Sequence, residues 1–357
     1  MPVTISEDIT GVASINGGQL GGRNKIINGS MVIDQRNAGG AVTAANAYPV
    51  DRWYISNTAN GSYSAQQVSD TPVGFSSSLK VTVTAAQTAN TGNLAPVQII
   101  EGNNIADLGW GAAGAKTVTL SFWVRSSLTG TFGGSLRNSA SNRSYPFTYT
   151  ISVADTWEYK TITIAGDTSG TWLTTNGIGI KVRFSLYAVA SSLQSAGTWY
   201  AGSATGATGQ TQLASTNGAT FYITGVQLEK GSTATDFEHR TFGDELALCQ
   251  RYYFRETAGT TFAGFAIAVV EAVTYSSGMM RGLPVPMRSL PTCNVSNCRM
   301  FDGGAAPAIT SLGNNWSSKT TWGVSVIGSA GGMTVGRACM LTANNNILAY
   351  IEATAEL

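Results

Sequence analysis

The run Val118-Thr119-Leu120-Ser121-Phe122-Trp123-Val124-Arg125 decides the fold. Successive side chains on a strand point to opposite faces, so Leu120, Phe122 and Val124 share one side and Ser121, Trp123 and Arg125 the other. One face is apolar and suits a core; the other mixes an aromatic ring with hydrogen-bonding groups. A second run repeats the pattern, with Val182, Phe184 and Leu186 alternating against Lys181, Arg183 and Ser185. The period is two, as in a half-buried strand.

Outward from these runs, the same alternation predicts strands over 30–35, 79–84, 95–101, 116–126, 145–153, 158–164, 179–187 and 219–228. Eight or more strands are enough for two packed sheets. Residues 126–144 and 188–218 are rich in Ser, Gly, Thr and Ala and read as long loops, the second carrying Trp199-Tyr200. Loops of this length are usually functional or mobile.

Helical signal concentrates in residues 243–253, where Asp244 and Glu245 open the segment and Arg251 closes it, as the helix dipole favours. So short a helix does not stand alone, and it reads as a hinge with a domain boundary near residue 241. Strands resume over 261–275, 278–285, 293–300, 320–327, 334–341 and 347–357. Pro284, Pro286 and Pro291 suit an edge or a strand junction between them. Residues 1–25 carry five glycines and few large apolar groups. They read as an arm that orders by docking or, equally, as a disordered tail. The expectation is all-β: a sandwich over 26–240, a smaller C-terminal β-sandwich over 241–357, an extended N-terminal arm over 1–25 and a short linking helix.

Composition narrows the function. Only 11% of residues are charged, less than half the usual share, so Ser, Thr, Asn, Gln and Gly supply the polar surface. A net charge of +1 with no basic run argues against nucleic-acid binding. No apolar stretch is long enough for a membrane span, and residues 1–22 lack the charged and apolar regions of a secretory signal. Cys249, Cys293, Cys298 and Cys339 fit neither a dense disulfide framework nor a zinc site. Free thiols are expected; a Cys293–Cys298 bridge is the other reading. His239 is the only histidine, so a Ser–His–Asp or Cys–His triad would rest wholly on it. No Gly-x-Ser-x-Gly elbow or phosphate loop accompanies it. The chain reads as non-enzymatic, with no cofactor.

Several segments, taken in order, resemble bacteriophage tail fibre and receptor-binding proteins that carry a carbohydrate-binding-module-like jelly roll. Asn24-Lys25-Ile26-Ile27-Asn28-Gly29-Ser30-Met31 and Tyr48-Pro49-Val50-Asp51-Arg52-Trp53-Tyr54 look like its opening, and Val118 to Arg125 like its central strand. Asp155 to Ile164 resembles the strand after that, and Phe221 to Gly231 with Thr235 to Glu238 the closing strand. Glu245 to Tyr253 and Ala349 to Leu357 resemble the C-terminal part of such fibres. The resemblance covers about residues 24–357. It implies a virion location, assembly as a homo-oligomer, often a trimer, and a role in host attachment. The N-terminal arm would engage other tail or baseplate proteins. Related sugar-binding jelly rolls often hold a calcium, but no Asp-rich run stands near Asn28 or Glu229, so no metal is expected.

The mixed faces are where a host-surface glycan would bind: an aromatic ring meets a sugar's C–H face while polar groups meet its hydroxyls. Candidate glycan-binding residues are Trp123, Arg125, Arg183, Gln98, Trp199 and Tyr200, although Gln98 and Glu101 cannot both face one way in a regular strand. Trp123 capping the core, with Arg125 and Arg183 paired to acids, is the competing reading. Loop aromatics Trp110, Trp172, Trp199 and Tyr200 form either an exposed platform or anchors plugging the sandwich end. A purely structural virion component (collar, head or baseplate decoration) and a polysaccharide depolymerase are the alternative functions.

Overall fold

The computed structural model describes residues 22–314, 316–328 and 332–357. Nearly all of the proposed N-terminal arm, residues 1–21, lies outside them. The chain divides into two compact units, Met1–Glu245 and Leu246–Leu357.

The first unit is a jelly-roll β-sandwich. Its strands are β1 (Trp53–Asn57), β2 (Ser62–Val68), β3 (Ser78–Ala85), β4 (Asn93–Glu101), β5 (Val118–Ser126), β6 (Gly130–Arg137), β7 (Ser144–Ile151), β8 (Glu158–Ile164) and β9 (Ile178–Ser185). Two-residue strands β10 (Tyr187–Ala188), β11 (Leu193–Gln194) and β12 (Gly206–Ala207) follow, then the long β13 (Thr220–Lys230). One sheet runs β2-β3-β13-β5-β8 and the other β1-β4-β9-β6-β7, with β10 also pairing β4. Both are antiparallel throughout. Leu120, Phe122 and Val124 of β5 meet Val182 and Phe184 of β9 in one core that also holds Trp53, Phe132, Phe147 and Phe221. Phe184 lies 4.9 Å from Phe122 and 6.2 Å from Trp53 between ring centroids.

Strand β13 carries a bulge that sets the site. Thr224 pairs with Trp123 and Gln227 with Ser121, so Gly225 and Val226 together oppose Phe122. Gly225 has φ +60°, the left-handed geometry of a glycine bulge. The extra residue switches the inward set from Phe221 and Ile223 to Val226 and Leu228, all fully buried.

Two expectations need correction. Residues 30–35 are not a strand, although Met31 and Ile33 are buried. Asn28 and Met31 both sit at positive φ, and the Asn28 side chain bonds the backbone of Ile33 in both directions and the Asp51 carbonyl. The ladder is replaced by a side-chain clamp. The supposed loop 126–144 contains β6, whose Gly133-Gly134 pair misleads the eye. Gly134 is required there because a Cβ would lie 2.3 Å from both the Phe147 ring and the Arg183 carbonyl, a close approach of the kind that brings glycine into strands.

Helix α1 (Phe242–Gln250) spans the division between the units. It starts where Asp244 N–H meets Thr241 Oγ1 at 3.3 Å, with Asp244 and Glu245 in its first turn, both favourable at a helix N-terminus.

The second unit is the smaller β-sandwich. Its strands are β14 (Tyr253–Thr257), β15 (Gly264–Ala272), β16 (Tyr275–Gly282), β17 (Thr292–Ser296), β18 (Cys298–Phe301), β19 (Ile309–Gly313), β20 (Thr321–Gly328), β21 (Ala338–Ala343) and β22 (Tyr350–Thr354). They form the sheets β14-β22-β17 and β18-β21-β15-β16-β20-β19. Trp322, Met279, Val324, Leu341 and Ile351 fill its core. Trp322 Nε1 donates to the Glu352 carbonyl at 3.0 Å, tying one sheet to the other. The proline-bearing residues 283–291 lie between β16 and β17, outside both. All four cysteines are buried free thiols.

Candidate functional site

The outer face of the β2-β3-β13-β5-β8 sheet carries an open groove of about 780 Å³. Its floor follows from strand register. Thr119 pairs with Thr163, Ser121 with Thr161 and Trp123 with Tyr159, so one aromatic pair and two hydroxyl pairs lie in line along β5 and β8. At 3.3 to 3.4 Å per residue, Thr119 to Trp123 spans roughly 13 Å. The Trp123 and Tyr159 rings are 5.4 Å apart at 48°, and Tyr159 is 42% exposed. Among the described residues no partner engages the Ser121 or Thr161 hydroxyl. Thr161 is exposed and remains available as donor and acceptor, whereas Ser121 is 2% exposed. The Thr119 and Thr163 hydroxyls donate to the Gly231 and Ser232 carbonyls at 2.9 and 3.1 Å.

One wall is the segment 232–239, held over β13 by buried polar side chains. Glu229 Oε1 accepts from the Thr235 backbone N–H and its Oε2 from the Thr235 hydroxyl, each at 2.8 Å. Gln227 Nε2 donates to Glu229 Oε1 at 2.9 Å, and Gln227 Oε1 accepts from Glu238 N–H at 2.9 Å. Gln227 and Glu229 are at most 2% exposed, so these bonds satisfy groups that burial would otherwise penalise. Val73-Gly74-Phe75 also lines the groove, against that wall. Phe75 packs on Phe237 (5.2 Å) and on His239 (5.4 Å). Asp236 is the one carboxylate among the lining residues. Gly225 makes this closure feasible: a Cβ there would lie 2.6 Å from the Phe75 ring and 3.1 Å from Trp123 Cδ1.

Of the residues picked from sequence, Trp123 lines the groove. Arg125 stands on the same face beside it, ion-paired to Asp70 and, at 3.7 Å, to Asp155, with its guanidinium 4.9 Å from the Tyr222 ring centre. Arg183 is on the other sheet and 4% exposed, so the two mixed faces do not form one site. Gln98 belongs to neither. It is 1% exposed, and its amide bonds the Ile27 backbone in both directions at 2.8 and 2.7 Å. Glu101 is likewise buried. Trp199 lies 5.3 Å from Trp110, 5.4 Å from Trp172 and 5.2 Å from Tyr145, its Nε1 donating to the Ala165 carbonyl. These rings anchor loops against the sandwich. Tyr200 exchanges backbone hydrogen bonds with Ser144 and is partly exposed, away from the groove lining.

Ser121 stands on the mixed face that the alternation picks out, whereas Tyr159 and Thr161 carry no mark among the candidates, although Tyr159, Thr161 and Thr163 share one face of a strand legible in the sequence. Phe75, Phe237, His239 and Asp236 come from loops without periodicity and carry no such signal. His239 is exposed at the surface and packs on the Phe75 and Phe237 rings.

No family model matches the chain, and no curated protein matches it. Solved structures do resemble it. A putative sugar binding protein from Bacteroides thetaiotaomicron VPI-5482 is 12% identical, covering 58% of this chain and 100% of that one, with a TM-score of 0.34. A family 11 carbohydrate-binding module of a Clostridium thermocellum cellulase is 15% identical over 56% of this chain and 99% of that one, TM-score 0.27. The enzymatically active domain of bacteriophage CBA120 tailspike protein 4 is 14% identical over 58% of this chain, TM-score 0.33, and the match spans only 22% of the tailspike chain. At these scores the likenesses assign no activity, ligand or partner to this chain.

Proposed function

We propose that this chain is a non-enzymatic attachment protein of a bacteriophage tail fibre, and that its jelly-roll unit binds a surface glycan in the groove over β5 and β8. The observation that carries the reading is the in-register row of Trp123–Tyr159, Ser121–Thr161 and Thr119–Thr163. The aromatic pair offers an apolar face to a sugar ring, and the unengaged Ser121 and Thr161 hydroxyls beside it match the sugar's own. Asp236 supplies one acceptor on the wall; hydrolysis by the usual pair of carboxylates needs two. The sequence resemblance supports the virion location, the tail or baseplate contacts of the N-terminal arm, and self-association.

A second observation favours self-association through the C-terminal unit. Met340, Ile267 and Met280 lie side by side across β21, β15 and β16, exposed by 41%, 68% and 52%. Such a contiguous apolar patch on a sheet face marks an interface, here taken as one between copies of this chain. A single millimolar sugar site contributes about 4 kcal/mol, and several linked copies raise avidity by orders of magnitude.

The test is binding of the purified chain to host envelope polysaccharides on a glycan array, with Trp123→Ala as control. Capture by at least one glycan, lost in the variant, is expected. Absence of binding to any envelope glycan points to a purely structural component, and release of reducing ends to a depolymerase.

A further inference from the structure

On the opposite sheet three cations meet without an acid. Arg137 of β6 pairs directly with Lys181 of β9, and Arg183 follows two residues along the same face. Like charges opposed across a ladder repel. Among the described residues none of the three has an acidic partner. Neutral oxygens hold them instead. Arg137 Nη2 donates to Ser203 Oγ at 2.7 Å, and Lys181 Nζ to the Ser139 carbonyl and Ser141 Oγ, both at 3.2 Å. Arg183 Nη2 donates to Asn93 Oδ1 at 2.6 Å.

The cluster is unsatisfied as well as uncompensated. The Nε–H donors of Arg137 and Arg183 are buried without partners, and Arg183 is 96% buried as a residue. Burial, then the neighbouring cations, pulls the Lys181 ammonium below its ordinary range, and burial brings Arg183 down to about 10. Leftover buried donors and unpaired like charges are costly unless something completes them. Tyr54 borders the cluster on the same face, two strands across, through its pairing with Val97 and that of Val97 with Arg183. Arg137 and Lys181 are half-buried and leave the cluster open at its rim.

We propose that this face is a second binding site, one for a sugar that carries an anion. A carboxylate or phosphate oxygen would accept from Arg137, Lys181 and Arg183, and the Tyr54 ring would pack on the sugar. Charge-assisted bonds to guanidinium groups are the strong kind, and an anion completes both the donors and the charge. The site lies on the other sheet from the groove and does not depend on it.

The test is calorimetric titration of the full chain with trigalacturonic acid and with glucose 6-phosphate, each against its neutral counterpart, galactotriose or glucose. Arg137→Gln and Lys181→Gln are the variants of choice, because both positions are half-buried; circular dichroism verifies their fold. At least one charged sugar is expected to bind about tenfold or more tightly than its neutral counterpart, weakening with added salt. Both variants lose most of that preference, whereas Trp123→Ala keeps it. Which charged sugar binds identifies the anion as carboxylate or phosphate. The proposal is overturned if neither charged sugar binds, if neither outbinds its neutral counterpart, or if both variants bind as the native chain does.

Discussion

Trp123 and Tyr159 stand opposite each other in the β5–β8 register with their rings 5.4 Å apart. Neither belongs to the core, and both line the groove with hydroxyls of the same two strands beyond them. Truncating an aromatic anchor at a binding site typically costs 2 kcal/mol or more, which is about thirtyfold in affinity. Trp123→Ala is therefore expected to weaken glycan binding at least about thirtyfold with little change in thermal stability. Titration calorimetry and a melting curve on the same sample check both halves.

Gly225 is where fold and groove meet. Its φ of +60° is unfavourable for any residue with a Cβ, and that Cβ would press on Phe75 and Trp123. Left-handed geometry alone costs roughly 1–2 kcal/mol. With the contact added, Gly225→Ala is expected to lower the melting temperature by several degrees, on the order of 2–4 °C per kcal/mol for a unit of this size. The displaced rings should weaken glycan binding in parallel, which distinguishes this variant from an ordinary destabilising one.

Much of this was legible in the sequence. The apolar positions Phe221, Ile223, Val226 and Leu228 are spaced two, three and two apart, which is the mark of a bulge. The alternation in β5 and β9 gave the inward faces that the core confirms. Which sheet each mixed face belongs to was not legible, because pairing order is set by tertiary packing; Trp123 and Arg183 were grouped though different sheets hold them. Gln98 misled for a related reason. It lies on the inward face of β4, level with Val182, and fills a polar need of the Ile27 backbone that no local pattern announces. The glycines of β6 hid a strand because close packing of Phe147, not chain reversal, required them.

The wall of the groove depends on Glu229. Replacing it by Ala removes the acceptor of the Thr235 backbone N–H and one acceptor each of the Gln227 amide and the Thr235 hydroxyl; a buried group left unsatisfied costs about 1–3 kcal/mol. Glu229→Ala is expected to destabilise the first unit by that order and to release residues 232–239. Faster proteolytic cleavage within 232–239 is the direct readout, and Glu229→Gln should retain part of the protection.

Asp302 makes the second unit acid-sensitive. Its carboxylate accepts from the backbone N–H groups of Thr334, Ala305 and Gly304 at 2.8, 2.8 and 3.0 Å. These bonds hold its pKa at about 2, below the usual 3.8. A carboxyl whose folded pKa is depressed adds stability above its unfolded value and loses it as pH falls through the folded one. Asp302→Asn should thus lower the melting temperature of the second unit at pH 7, and the difference from the native chain should shrink steadily between about pH 4 and pH 2.

The exposed row of Met340, Ile267 and Met280 predicts self-association. Ile267→Lys places a charge at the centre of that row, and a charge buried at an interface without a partner is strongly disfavoured. Light scattering after size exclusion is expected to show an oligomer for the native chain and a smaller species for the variant, with unchanged circular dichroism.

The central claim is that the Trp123–Tyr159 groove holds a sugar. The most direct measurement is a titration, followed by nuclear magnetic resonance, of the chain with its tryptophan indole N–H groups labelled, using oligosaccharides cut from the host envelope. The account predicts that the Trp123 indole signal shifts saturably while those of the buried Trp53 and Trp322 stay fixed. Binding that moves the Trp110, Trp172 and Trp199 signals and leaves Trp123 unmoved would contradict it.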